Sequence, residues 1–181
     1  MNDLYADRMP PQNIEAEQAV LGAIFLEPTS LVLASEILIP EDFYRAAHQK
    51  IFNVMLTLND QGKAVDLVTV TEELAAAKLI EDTGGVSYLG ELAASVPTAA
   101  NIEYYARIVE EKSLLRRLIR TATNIASDGY SREDEVEALL SEAEKNIMAV
   151  AQRKNAGAFH NIKDVLVRTY DNIEEMHNRV G

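Results

Sequence analysis

Residues 101–153 read NIEYYARIVEEKSLLRRLIRTATNIASDGYSREDEVEALLSEAEKNIMAVAQR. At about 100° per residue, Tyr104, Ile108, Leu115, Ile119, Ala122 and Ala126 fall along one line of a helix. Leu114, Leu118 and Ile125 widen that line along one edge, so about half the circumference is apolar. Ser127-Asp128-Gly129 predicts a turn, because glycine adopts the left-handed cap conformation at little cost. From about Arg132 a second helix carries Val136, Leu139, Leu140, Ala143, Ile147 and Val150 at the spacing of a narrow hairpin seam. A narrow stripe cannot hide a wide one. The surplus must meet the body of the chain, a second copy or a foreign protein, and that surplus is where a function is expected.

The whole chain has 181 residues, of which 48% are hydrophobic, enough for a core in one large domain or in one domain with an appendage. Seventeen basic against 29 acidic residues give a net charge of -12, so the average surface repels phosphate backbones and anionic lipid. With no cysteine there is neither a disulfide framework nor a thiolate metal site. No apolar run approaches a membrane span and the start lacks a signal-peptide pattern, so the chain reads as soluble and cytoplasmic with no membrane partner. The helical pattern runs on to Gly181 without a closing element, which suggests a piece of a longer protein.

The segments outside the hairpin predict an all-α chain. Residues 1–12 are a polar arm ending in Pro10-Pro11. A compact head of five helices spans residues 13–98. Its first helix is capped by Asn13 and runs Ile14 to Leu26, with Glu15 and Glu17 in the first turn, where the helix dipole favours carboxylates. A short helix runs Leu31 to Leu38. A third, the expected core post, starts at Glu41-Asp42 and carries Phe43, Ala47, Ile51, Phe52, Met55 and Leu56. Asp66 or Thr69 caps a fourth that runs to about Leu79 with Val70, Leu74 and Ala77 inward, and Gly84-Gly85 admits a fifth from Val86 to Val96. Pro97 marks the boundary with the hairpin, residues 99–153. Residues 154–181 form a linker: a polar, small-residue joint at 154–158, then an amphipathic helix capped by Asn161 with Ile162, Val165, Leu166, Thr169, Ile173 and Met176 on one arc. Such a helix gains most of its stability by laying that arc into a groove.

Few residues suggest chemistry. Gly62-Lys63 is followed by Ala64 rather than Ser or Thr, so no phosphate-cradling loop of the P-loop kind is present. Glu174 and His177 have the Glu-x-x-His spacing of bundle metal sites, but a second such pair is missing and a solvated helix end is the better reading. His48, on the core-post helix, reads as a satisfied structural histidine, with no nucleophile pattern beside it. Lys112, Arg116, Arg117 and Arg120 form a basic run that could touch nucleic acid, although the glutamates at 133, 135, 137, 142 and 144 on the returning helix could offset it. Tyr88 stands at the edge of the fifth helix, where an aromatic with a polar tip suits either a protein interface or the rim of the head's own core.

Read in order, the stretches PQNIEAEQAVLG at 11–22, Glu41-Asp42-Phe43-Tyr44 with His48 and Ile51-Phe52, Asp66 to Thr71, Gly84-Gly85 with Tyr88-Leu89, and Pro97-Thr98 with Asn101-Ile102 and Tyr105-Ala106 resemble the bacterial replicative DNA helicase of the DnaB type. The resemblance runs from about residue 10 to about residue 110, and beyond it the hairpin and linker agree in placement more than in identity. It implies a non-catalytic N-terminal domain and linker, not itself an enzyme. No cofactor would bind this piece. ATP and Mg, and the contact with single-stranded DNA, would belong to a RecA-like motor domain of the parent helicase. The resemblance also implies partners. These are self-association as a dimer or a hexamer built as a trimer of dimers, a DnaG-type primase, and the motor domain of a neighbouring subunit. By the same implication Tyr88, Leu114, Leu118, Ile119 and Ile125 become the self-association or primase-facing residues, and Ile162, Val165, Leu166, Ile173 and Met176 the linker-helix docking residues. Two other readings are open at this point: a free-standing helical adaptor for an unrelated protein, and a metal-dependent bundle enzyme resting on Glu174 and His177 alone.

Overall fold

The computed structural model describes residues 8–131 and 135–153, and these are all-helical, with no strand among them. In chain order the helices are α1 (Ile14–Leu26), α2 (Ser30–Ile37), α3 (Ala46–Asp60), α4 (Leu67–Ala76), α5 (Gly85–Ala93), α6 (Ile102–Ser131) and α7 (136–153). Short 3-10 turns at Pro40–Asp42 and Glu81–Thr83 precede α3 and α5. Residues 1–7 of the expected arm, Arg132 and Glu133, and the whole expected joint and linker helix, with Ile162, Val165, Leu166, Ile173, Met176, Glu174 and His177, lie outside the described residues.

The chain divides after Arg116 into two compact units. The division falls inside α6, well past Pro97, because Ala99, Ile102, Ala106, Val109 and Ser113 are buried and the first turns of α6 complete the core of the first unit. The face of α6 that enters the core is therefore Ile102, Ala106, Val109 and Ser113. The expected line through Tyr104 and Ile108 does not enter it: Tyr104 is exposed and Ile108 half-buried.

The most enclosed helix is α1. From Ala19 to Phe25 it has no polar side chain, and a helix apolar all round must be surrounded. Eight of its 13 residues are buried, against six of 15 in α3, so α1 shares the role of core post expected of α3 alone. It packs against α2, α3 and α5. Gly22 makes the α5 contact possible: a Cβ there would stand 2.5 Å from the Leu92 carbonyl oxygen and 2.1 Å from Ser95 Oγ.

Several expected helix bounds move. The third helix begins at Ala46 rather than Glu41, because Phe43 is extended (φ -71°, ψ 138°) and drops into the core beside Phe52 with ring centroids 5.0 Å apart. The fourth is capped by Asp66 and Thr69 together, each side chain accepting the other's backbone N–H, and ends at Ala76, leaving Ala77 exposed and Lys78 in the left-handed region (φ 58°). The fifth starts at Gly85, with Gly84 (φ 92°) as the turn before it, and buries Leu89 and Leu92 while Val86 is exposed. Finally, α6 runs through Ser127-Asp128-Gly129 to Ser131, so the expected turn is not there. One helical glycine costs only about 1 kcal/mol, which a helix of 30 residues absorbs.

Candidate functional site

On α6, Leu118 and Ile119 are 44% and 51% exposed, Leu115 is also exposed, and Leu114 and Ile125 are half-buried. Large side chains are held on this helix without cover.

The second unit shows why. Its inward positions on α6 are Arg117, Thr121 and Ile125, and those on α7 are Leu139, Ala143, Asn146, Val150 and Arg153, each set following the helical period. Of the expected α7 seam only Leu139, Ala143 and Val150 turn in. Val136 and Leu140 are 70% and 66% exposed, and Ile147 and Met148 also face out. The seam thus carries much of the polarity and the outer faces much of the apolar area. Between the two helices lies a cleft of about 330 Å³ lined by Arg117, Arg120, Thr121, Asn124, Asn146, Ala149, Val150 and Arg153. The basic run accordingly splits. Arg116 is turned into the first unit, where its guanidinium donates to the carbonyls of Pro11 (2.8 Å) and Asp42 (2.5 Å). Arg117 and Arg120 line the cleft. Glu135, Glu137, Glu142 and Glu144 stand exposed, and Arg120 forms no ion pair among the described residues.

Tyr88 is half-buried at the edge of the core. Its hydroxyl lies 2.6 Å from His48 Nε2 and accepts from Gln18 Nε2 at 3.2 Å, and its ring stacks on the His48 ring with centroids 6.0 Å apart. His48 is fully buried and reaches Glu17 Oε1 through Nδ1 at 2.8 Å. Glu17, itself only 1% exposed, also accepts from the backbone N–H groups of Tyr44 (2.9 Å) and Arg45 (3.3 Å). The carboxylate therefore caps α3, whose own N-cap residue, Arg45, supplies no side-chain bond. One proton arrangement satisfies the whole set: Nδ1–H donates to Glu17, the Tyr88 O–H donates to Nε2, and Gln18 donates to the Tyr88 oxygen. The arrangement holds helices together and leaves no side chain poised over open space. Among the described residues no three His, Asp or Glu side chains gather as a metal ion would require, and no helix is long and apolar enough to cross a membrane.

Sequence reasoning placed Glu17 with Glu15 as a dipole residue and missed its burial. A signal was present: Glu17 stands one and two turns before Leu21 and Ile24 on the same helical face, and a carboxylate on a face that enters the core must find donors. Arg116 was likewise grouped with its basic neighbours, although it lies one turn after Ser113, whose Oγ donates to Asp42 at 2.6 Å on the face turned to the core.

The family described as DnaB-like helicase N terminal domain matches residues 9–111. The whole chain is 75% identical to the replicative DNA helicase DnaC of Bacillus subtilis (strain 168) and 71% identical to the replicative DNA helicase DnaB of Geobacillus stearothermophilus, and it spans 40% of the length of each. The N-terminal domain of DnaB helicase from Mycobacterium tuberculosis superposes with a TM-score of 0.75 at 41% identity, covering 78% of this chain and 99% of that one. A DnaB-like replicative helicase, solved for its interactions with primase, matches with a TM-score of 0.63 at 30% identity over 90% of this chain and 35% of its own. The chain belongs to the family of DnaB-like helicase N-terminal domains.

Proposed function

We propose that this chain is the collar and linker of a cytoplasmic, hexameric replicative DNA helicase, serving ring assembly and primase recruitment during DNA replication. The observation that carries the reading is the uncovered apolar area of α6 and α7, above all Leu118, Ile119, Val136 and Leu140. Exposed side chains of this size at helical spacing are what a helix pair presents to a partner. The relatives supply the partner's nature: they are replicative helicases, and one related helicase was solved for its interactions with primase.

In this reading Leu114, Leu118, Ile119 and Ile125 form the self-association or primase-facing surface on α6. Tyr88, half-buried and with its hydroxyl used within the head, is a further self-association or primase-facing residue in this reading. Pairs of chains associate into a trimer of dimers and the collar docks a DnaG-type primase. Residues Ile162, Val165, Leu166, Ile173 and Met176 pack on the RecA-like motor domain of a neighbouring subunit. ATP hydrolysis with Mg and the unwinding of DNA belong to that motor domain.

Truncation of a large apolar side chain at an interface centre costs about 2 kcal/mol, or about 30-fold in Kd. Ile119→Ala and Leu118→Ala, each more than one-third exposed in the single chain, should therefore weaken self-association or primase binding by about that factor while leaving thermal stability nearly unchanged. Sedimentation velocity across a concentration series, with and without the primase's helicase-binding domain, reads both effects. A chain that stays monomeric at high concentration and ignores primase rules the collar out.

A further inference from the structure

Four buried polar side chains of the first unit, Glu17, His48, Asp42 and Ser113, lie along one line of contacts rather than in separate pairs. The line starts at the Tyr88 hydroxyl on α5, passes through His48 on α3 and reaches the Glu17 carboxylate on α1. From Glu17 it continues to the N–H groups of Tyr44 and Arg45. The Tyr44 ring carries the Arg116 guanidinium, 5.5 Å from its centroid, and the same guanidinium donates to the carbonyls of Pro11 and Asp42. Asp42 in turn accepts from Ser113 Oγ (2.6 Å) and from the Ile39 N–H (2.8 Å). Every link is shared: Glu17 takes three donors and the Arg116 head group three contacts.

We infer that this line couples the Tyr88 edge of the head to residue 116 of α6, with residues 39–45 as the element that has two positions, docked and undocked. That segment is a single 3-10 turn followed by extended backbone, and no side chain of its own caps α3. Glu17 holds it from one side and Arg116 from the other. Where a buried donor loses its acceptor, the full desolvation cost of the orphaned group is felt at the next link, so neighbouring links hold or loosen together. A contact that moves Tyr88 changes how firmly residues 39–45 hold Arg116, and a change at Arg116 is felt at Tyr88 by the same amount. The inference borrows from the proposed function only the identity of what engages Tyr88. The coupling itself is a property of the chain alone.

Amide exchange in the isolated chain tests it. Tyr88→Phe keeps the ring and removes the hydroxyl. It should speed exchange at the Tyr44 and Arg45 amides about fivefold more than at Leu74, a buried residue of α4 outside the line, and should shift the Arg116 Nε–H resonance. In the other direction Arg116→Lys, which keeps the charge and loses the fork, should speed the same two amides and shift the His48 ring nitrogens. The coupling is overturned if Tyr88→Phe leaves Tyr44 and Arg45 unchanged, or speeds them by no more than Leu74, since a uniform change reports only lost global stability. Both measurements omit primase, so a failure of primase to bind counts against the docking role and not against this coupling.

Discussion

Glu17 shows what one residue can decide. In the linear chain it is one of two carboxylates in the first turn of α1. In the folded chain it is buried, caps another helix, and orients the histidine that in turn meets Tyr88. Its partners lie 27, 28 and 31 residues away, so no local rule could assign them. The Asn13 cap was legible for the opposite reason: its acceptor and the Ala16 N–H are three residues apart. Glu17→Ala strands two backbone donors and the His48 Nδ1–H together, and a buried donor left without its acceptor costs about 1–3 kcal/mol. Urea unfolding should show a loss of that size, whereas Glu15→Ala, at an exposed position of the same turn, should lose less than about 1 kcal/mol. The same geometry predicts that the ring nitrogen shifts of His48 report a proton on Nδ1, donated to Glu17.

Among the elements, the helices that could be read from the chain were those whose caps and stripes are local. The bounds of α1 coincide with expectation, and the α4 start is set by a reciprocal cap three residues long. The start of α3 was not legible, because it depends on Phe43 leaving the helix for the core and on a carboxylate from α1 replacing the missing cap. The face of α6 that enters the core was missed because it is built from small residues, Ala106 and Ser113, between Ile102 and Val109. Small side chains mark close packing but add little to an apolar stripe. The α1 and α5 crossing depends on the same principle. In Gly22→Ala the new methyl meets the Leu92 carbonyl, a backbone atom that no rotamer change can move, so the two helices must part. Overpacking of this kind costs about 1–3 kcal/mol, measurable as a lower denaturation midpoint with an unchanged slope.

For the whole molecule, the expected mismatch of apolar area on the long helix stands, but its partner differs from the one expected. The returning helix turns Leu139, Ala143 and Val150 inward and leaves Val136, Leu140 and Ile147 outside, so the helix pair adds uncovered area instead of removing it. The twofold division of the chain could not be read from Pro97, because the criterion is burial and the core continues through Val109 and Ser113. A piece ending at Arg116 retains all of that core, including the Glu17, His48 and Tyr88 set and both carbonyl contacts of Arg116. It should unfold cooperatively and keep the His48 nitrogen shifts of the full chain. Where α6 and α7 carry self-association, the same piece should sediment as a monomer at concentrations at which the full chain does not.

The enclosure of α1 also has a consequence for how the polypeptide is made. A ribosome emits this greasiest helix before its cover, since the α5 flank that covers Gly22 begins at Gly85, about sixty residues later. At about 5–20 residues per second the nascent segment waits some 3–12 s for its cover, long enough for a holding chaperone to find it before its own neighbours do.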